Sequence, residues 1–264
     1  MLSNLTNLIR YRGLIQSLVA RELKARYRGS VLGFLWSFIN PLLLLSVYSF
    51  VFTVVMPGLH PKEIEPFALF MFCGILPWTW FNSSLIEASN SLMAGGNLIK
   101  KVLFPAEVLP IVSVLANMVH FLFGLPILVL FLIYYRRSPD GWDLIWFPVA
   151  MAVQLVFTTG IALMLAALTV HFRDLRDILS NLLTLWFFAT PIIYSIQSAP
   201  GLSKRVLDFN PMTHLIVSYQ EILFFPGAFG HWKWLLALAG ASVLLFLAGY
   251  WLFDRLRDSF AETV

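Results

Sequence analysis

Six stretches of this chain run for about 20 residues each with almost no charge, and in water that pattern has no stable home. They cover roughly residues 31–55, 66–86, 103–135, 144–170, 178–196 and 232–253. A hydrocarbon layer offers the backbone no hydrogen-bond partner, so such stretches cross it as helices that satisfy their own amides. The expected fold is therefore all-α and membrane-integral, with six transmembrane helices in a single domain over residues 1–264. Residues 1–30 would form a cytoplasmic interface helix, 31–253 the bundle, and 254–264 a cytoplasmic tail.

Composition supports this class. Hydrophobic residues make up 59% of the chain and charged ones 12%, about half the charge of a soluble domain. The formal net charge of +4 suits a surface of anionic lipid, and no separate basic domain offers itself to nucleic acid. A single cysteine, Cys73, excludes an internal disulfide and any multi-cysteine metal site. Asn4, Asn7, Arg10 and Arg12 interrupt the first apolar residues, so no cleavable leader is expected.

Lysine and arginine set the orientation. Segments 1–30, 94–103, 171–177 and 254–264 together carry 12 of them, and the alternate segments 57–65, 136–143 and 198–233 carry 6. Both termini are expected in the cytoplasm. Arg136 and Arg137, on the outer side, weaken this bias without reversing it. Between the fifth and sixth spans, Pro200, Pro211 and Pro226 divide a segment too long for a tight turn and too polar for a further span. Leu215, Ile216, Tyr219, Ile222 and Leu223 recur at helical spacing within it. Two readings fit: short re-entrant helices at a pore mouth, or a helix lying on the membrane surface.

The basic stretch before the first span asks for an explanation. Leu14, Ile15, Leu18, Val19, Leu23 and Tyr27 fall on one face of a helix, with Ser17, Arg21, Lys24 and Arg28 opposite. Such an amphipathic helix lies along the cytoplasmic surface, as a lipid anchor or as a docking face for a soluble partner. Its abrupt join to the first span would let it transmit a push. The second cytoplasmic segment has Gly95 and Gly96 as a candidate hinge, Asn97 as a helix cap, then Lys100 and Lys101, with Pro105 starting the third span and Glu107 in its first turn. It is either a polar hairpin or a short gate helix across a pore mouth. The third, HFRDLRD, alternates charges in a short loop.

Aromatics are dense, at 24 Phe, 9 Trp and 8 Tyr. Trp78, Trp80, Phe81, Trp142, Trp146, Trp232 and Trp234 fall near span ends, where an interfacial belt accounts for them. Trp36, Phe38, Tyr48, Phe50 and Phe52 lie within the first span. They either pack helices or offer flat apolar faces to sugar rings in a conducting pore. Charge within the spans is scarce: Glu87 near one end, His120 with Asn117, and Asn40 before Pro41. Ion-coupled carriers place acids or histidines deep in the membrane, and His120 alone reads as hydrogen-bonded packing. No phosphate loop and no hydrolase signature is present, so ATP-driven work would need a separate subunit.

The segments ARELKARYRGSVLGFLWSFINPLLLLSVYSFVF, GILPWTWFNSSL, NLIKKVLFPAEVLPI, HFRDLRDIL, FFATPIIYSI and NPMTHLIVSYQEIL, in this order, resemble the transmembrane subunit of bacterial ABC-type polysaccharide exporters, the O-antigen and teichoic-acid group. The resemblance implies a type-2 exporter fold with six spans and two short helices before the sixth. It implies a homodimer with a pore between the copies, working with two copies of a cytoplasmic ABC ATPase that binds ATP and magnesium, while this chain holds no cofactor, metal or catalytic residue. The cargo would be a lipid-linked glycan crossing the bacterial cytoplasmic (inner) membrane. Contact with the ATPase would fall to Arg21, Glu22, Lys24, Arg28, Asn97, Lys100, Lys101, Arg173, Asp174 and Arg176. Pore aromatics would be Trp36, Tyr48, Phe52, Trp80 and Phe81. A permease for a small lipid or drug, and a membrane enzyme acting on lipid-linked sugars, are the alternatives. The first would need a closed apolar pocket and the second deep carboxylates or a metal cluster.

Overall fold

A computed structural model describes residues 10–55, 64–96, 104–137, 139, 141–172, 174–198 and 201–263, with the side chains of 34, 52, 53, 202–204 and 261–263 outside the description. Every regular element among these residues is helical. In chain order they are α1 (Arg12–Arg26), α2 (Trp36–Phe50), α3 (Phe67–Ala94), α4 (Val108–Tyr134), α5 (Trp146–His171), α6 (Leu175–Phe188), α7 (Gly201–Asp208), α8 (Pro211–Leu223) and α9 (Trp232–Thr263). A π turn, Val51–Val55, extends α2. Four of the helices, α3, α4, α5 and α9, are long and apolar enough to cross a membrane, and α2 is a shorter apolar helix.

α3 stands at the centre. Nineteen of its 28 residues are buried, on every side of the helix from Phe67 to Trp78 and on one face beyond. α2, α4, α5, α6 and α8 pack around it. Polar side chains secure the crossings: the Gln154 amide of α5 donates to the Pro77 carbonyl at 2.7 Å, and the Trp80 indole donates to the Val114 carbonyl of α4 at 3.1 Å. α5 and α9 approach closely enough that their backbones meet at Gly160 and Gly249. Small residues allow this in lipid, where packing and not the hydrophobic effect holds helices together.

The ends of the elements depart from the sequence expectation for identifiable reasons. α3 continues to Ala94, past the expected end at 86. Its polar end is satisfied locally, with the Ser89 and Ser91 hydroxyls donating to the Ile86 and Ala88 carbonyls. α4 begins at Val108, so Pro105 lies ahead of the helix and Glu107 precedes its first residue, with no capping bond from its side chain, instead of sitting in the first turn. The residue before a proline is steered away from helical torsions, and Phe104 lies outside any helix. α6 spans Leu175–Phe188, not 178–196, because Pro191 has no amide to continue it. The expected tail is helix as far as Thr263. At about 48 Å, α9 outruns a hydrocarbon core of about 30 Å, so its charged end projects beyond.

The abrupt join between α1 and the first span is also corrected. A turn and a short 3₁₀ segment, Gly33–Leu35, separate α1 from α2. Gly29 and Gly33 in this connection have φ of 79° and 48°, left-handed torsions that a β-carbon disfavours. α1 lies with Leu18 buried against Val108 and Val112 at the start of α4, and Leu14, Ile15 and Val19 pack beside it.

A methyl group on Gly249 would overlap the Gly160 carbonyl, whereas one on Gly240 of the same helix would meet nothing. Gly249→Ala is expected to cost about 1–3 kcal/mol, seen as a lower thermal midpoint of the detergent-purified chain. Gly240→Ala should leave the midpoint level or raised, by about 0.5–1 kcal/mol of helix propensity.

Candidate functional site: a cavity between four helices

A cavity of about 820 Å³ opens between α2, α3, α4 and α6. Helical spacing builds each wall. From α3 come Ile75, Leu76, Thr79, Asn82 and Ser83, which share one face. From α2 come Trp36, Ser37, Asn40, Pro41, Leu44 and Tyr48. α4 adds Asn117, His120 and Phe121, and α6 adds Leu183, Thr184, Phe187 and Phe188. Aromatic faces thus alternate with amides and hydroxyls. Arg26, the last residue of α1, is the one charged side chain in the wall.

The aromatic wall is braced from behind. Tyr48 stacks on Phe187 with ring centres 6.4 Å apart, and Phe187 meets Trp78 edge-on at 5.7 Å. Trp36 donates its indole N–H to the Ser30 hydroxyl at 3.0 Å, which orients the ring at the α1 end of the cavity. Tyr27 and Ser37 share a hydrogen bond, and both oxygens lie within reach of His120 Nδ1, at 3.1 and 3.4 Å. Beside them the Arg26 guanidinium meets both carboxylate oxygens of Glu87 at 2.6 Å. Asn117 accepts from Arg26 at 3.2 Å and donates to Glu87 at 2.7 Å.

A second polar cluster lies outside the cavity wall, around α8. This helix is buried from Met212 to Leu223 and is capped by Asn210, whose side chain accepts from the Met212 amide at 3.0 Å and donates to the Ala189 carbonyl at 2.9 Å. The amides of Gly230 and His231 donate to Glu221, and that of Phe229 donates to Asp143. His214 Nε2 faces the Asp208 carbonyl at 2.8 Å, an oxygen that only accepts, so this nitrogen carries the proton. His214 Nδ1 then accepts from His231 Nε2 at 3.0 Å. That leaves His231 Nδ1 bare, 3.7 Å from Glu221. Burial and the neighbouring His214 push His231 down from 6.5 to about 4. Burial raises Glu221, against the pull of the two amides.

Three of the five expected pore aromatics, Trp36, Tyr48 and Trp80, line the cavity. Phe81 does not. It is fully buried on the far side of α3, between Phe157 at 5.9 Å and Trp186 at 5.2 Å, and acts as packing. The Phe52 side chain lies outside the described residues, as do Asn97, Lys100, Lys101 and Arg173. Arg21, Lys24 and Arg28 are exposed, Glu22 is half-buried, and Asp174 and Arg176 are exposed at the start of α6. Gly95 ends α3, and its lack of a side chain makes room for Leu109 of α4; Gly96 and Pro105 are buried nearby. Sequence reading missed Asn82 and Ser83, although Thr79, Asn82 and Ser83 follow the 3–4 spacing of one helical face. It also missed that Arg26 turns inward.

The model of the ABC-2 type transporter family matches residues 13–224. Over 97% of both chains the sequence is 45% identical to an O-antigen export system permease protein RfbA of Myxococcus xanthus. A Klebsiella pneumoniae protein of the same name is 34% identical over 92% of this chain and 91% of its own length. The polysialic acid transport protein KpsM of Escherichia coli is 21% identical over 81% of each.

The histidine pair gives a pH signature. The unfolded chain protonates His231 near 6.5 and the folded chain near 4, so folded stability falls as pH drops through that window. Glu221, raised, acts in the opposite sense, and its contribution is lost as pH rises above its ordinary 4.5. Thermal midpoints read between pH 7 and pH 4 should therefore fall more steeply in the wild type than in His231→Gln. Equal slopes would remove His231 as the group responsible.

Proposed function

The chain belongs to the ABC-2 type transporter family, and from that premise we propose that it is the permease subunit of an ATP-driven exporter of lipid-linked polysaccharide. The cargo is of the O-antigen or capsule kind named for its relatives, and the membrane is the bacterial cytoplasmic one. A separate ABC ATPase subunit, two copies per transporter, binds ATP and magnesium, and this chain itself is no enzyme. Beyond family membership, the observation that carries the reading is the cavity wall. Aromatic faces with amides and hydroxyls between them grip sugar rings weakly and without demanding one sugar sequence.

At about 820 Å³ the cavity falls in the range of small-ligand sites, about 300–1,000 Å³, so it holds a few sugar units and a polymer must thread through it. We read α2 with its π turn, and α6 with the turn that follows it, as the first and fifth of six crossings. α7 and α8 are re-entrant helices on the outer side, and both termini are cytoplasmic. A second copy completes the path. Asn40 and Ser46 of α2 and Ser180, Asn181 and Thr184 of α6 are exposed at positions poorly suited to bare lipid, and a facing copy would shelter them. The exposed cations Arg21, Lys24 and Arg28 of α1, with Asp174 and Arg176 and the segment bearing Asn97, Lys100, Lys101 and Arg173, form the ATPase face. Gly95, Gly96 and Pro105 flank a cytoplasmic gate.

The test is export in cells that carry the cognate ATPase and lack their own permease, read as surface polysaccharide per unit of membrane-inserted chain. Trp36→Ala and Tyr48→Ala are each expected to reduce it about tenfold, the scale of one aromatic contact, while Trp36→Phe retains most of it. Phe81→Ala should instead lower the amount of folded chain, since a lost core ring costs about 3–5 kcal/mol. Full export without a functional ATPase would overturn the proposal.

A paired charge reversal separates the docking face from the lipid anchor. Arg21→Glu with Lys24→Glu is expected to abolish export and ATPase co-purification while the chain still inserts. Normal export by that double variant would remove α1 from the ATPase face.

A further inference from the structure

We propose that Arg26, Glu87 and Asn117 form the joint through which movement of α1 enters the bundle, with Glu87 and Asn117 as positioning residues of transport. The inference rests on the reading of the chain as an ATPase-driven permease. It concerns where the push goes once α1 receives it.

The covalent route is poorly suited to carry that push. Between Arg26 and Trp36 the chain turns twice, with Gly29 and Gly33 both in left-handed torsions and open space where a side chain would stand on either, and short-range bonds such as Gly33 N–H to the Ser30 carbonyl close the turns. Side-chain bonds from Tyr27 to Ser37 and from Trp36 to Ser30 hold α2 to this turn, but they end on α2, so a displacement of α1 needs a separate contact to move the centre of the bundle. The apolar seat of α1 on Val108 and Val112 is also a weak transmitter. Hydrophobic contact holds area out of water but does not fix direction.

The polar contact does fix direction. Arg26 closes α1, and its guanidinium meets both oxygens of Glu87 at 2.6 Å. Both contacts come from one nitrogen, Nη2, and are short and charge-assisted, while Nη1 is taken by Asn117, so the guanidinium is held at two of its nitrogens. Asn117 of α4 locks both partners, accepting from Arg26 at 3.2 Å and donating to Glu87 at 2.7 Å. It is itself held by the Ser113 carbonyl at 2.9 Å. Three helices are thereby pinned at one point beside the cavity.

Glu87 lies about 10 Å inside the Ala94 end of α3, far enough in that an unpaired carboxylate would be costly. Its side chain is 33% exposed and that of Arg26 28%, so the pair is neither freely solvated nor sealed. A push on α1 that kept this pair intact would tilt α3 and α4 together. Both helices supply cavity wall next to the joint, through Asn82 and Ser83 on α3 and His120 on α4. Movement of α1 then reshapes the cavity directly.

The experiment uses the full chain with its ATPase in proteoliposomes, measuring glycan export and ATP hydrolysis on the same sample. Glu87→Gln and Arg26→Gln are expected to cut export about tenfold while hydrolysis stays within about twofold, as loss of a coupling contact would do. Asn117→Ala should give a smaller loss of the same kind. The exchange Arg26→Glu with Glu87→Arg restores the pair but not its bonds to Asn117, whose amide nitrogen is held by the Ser113 carbonyl, and should recover export in part, to the level of Asn117→Ala. Export by Glu87→Gln at the wild-type ratio to hydrolysis overturns the joint. So does a parallel fall of export, hydrolysis and inserted chain that the exchange leaves unrepaired, because that marks a structural pair. A wild type that hydrolyses ATP beside its partner and exports no glycan fails differently, and defeats the permease reading itself.

Discussion

A helix buried on every side must be met by protein all the way round, and α3 is in that position from Phe67 to Trp78. The rest of the bundle is arranged to meet it. Gly74 makes room for Gln220 and Ile216 of α8, and Trp78 and Phe81 face α6. Trp80 is tied to α4 and Pro77 to α5. The cavity lies where this wrapping lapses, along Thr79, Asn82 and Ser83, polar side chains on one face of the helix. Site and core are therefore two faces of one helix. A substitution on α3 acts on folding or on the cavity according to the side it occupies.

How far the sequence could be read depended on the range of the physics behind each feature. Long apolar runs with no charge report a bulk solvent preference, so α3, α4, α5 and α9 stood out directly. α6 was misplaced at both ends because apolar character continues past Phe188, while backbone chemistry at Pro191 stops the helix. The aromatic wall was half legible. Trp36 and Tyr48 could be suspected from their place within a span, but nothing local distinguishes Trp80, which lines the cavity, from Phe81, which packs behind it. Adjacent residues on a helix point about 100° apart, so the choice turns on neighbours 40 to 100 residues away. Arg26 shows the same limit. Within a run of cations it resembles Arg21, Lys24 and Arg28, and only Glu87, 61 residues on, turns it inward.

The distribution of charge bears on how the bundle is powered. The Arg26–Glu87 pair lies at one end of the cavity, and His214, His231 and Glu221 cluster around α8. Among the described residues, the cavity wall apart from Arg26 is neutral, with His120 as its one imidazole, hydrogen-bonded to Tyr27 and Ser37. A proton taken up at one end has no ladder of acids and bases to follow to the other. Nor would its arrival change the charge of the surface that meets cargo. A carrier worked by protons needs both. Work delivered as movement needs neither. It needs a stiff contact at the membrane edge and a wall that shifts when that contact is pushed, and on the proposed reading a neutral aromatic wall would let sugar rings slide along it without leaving a charge unpaired at each step.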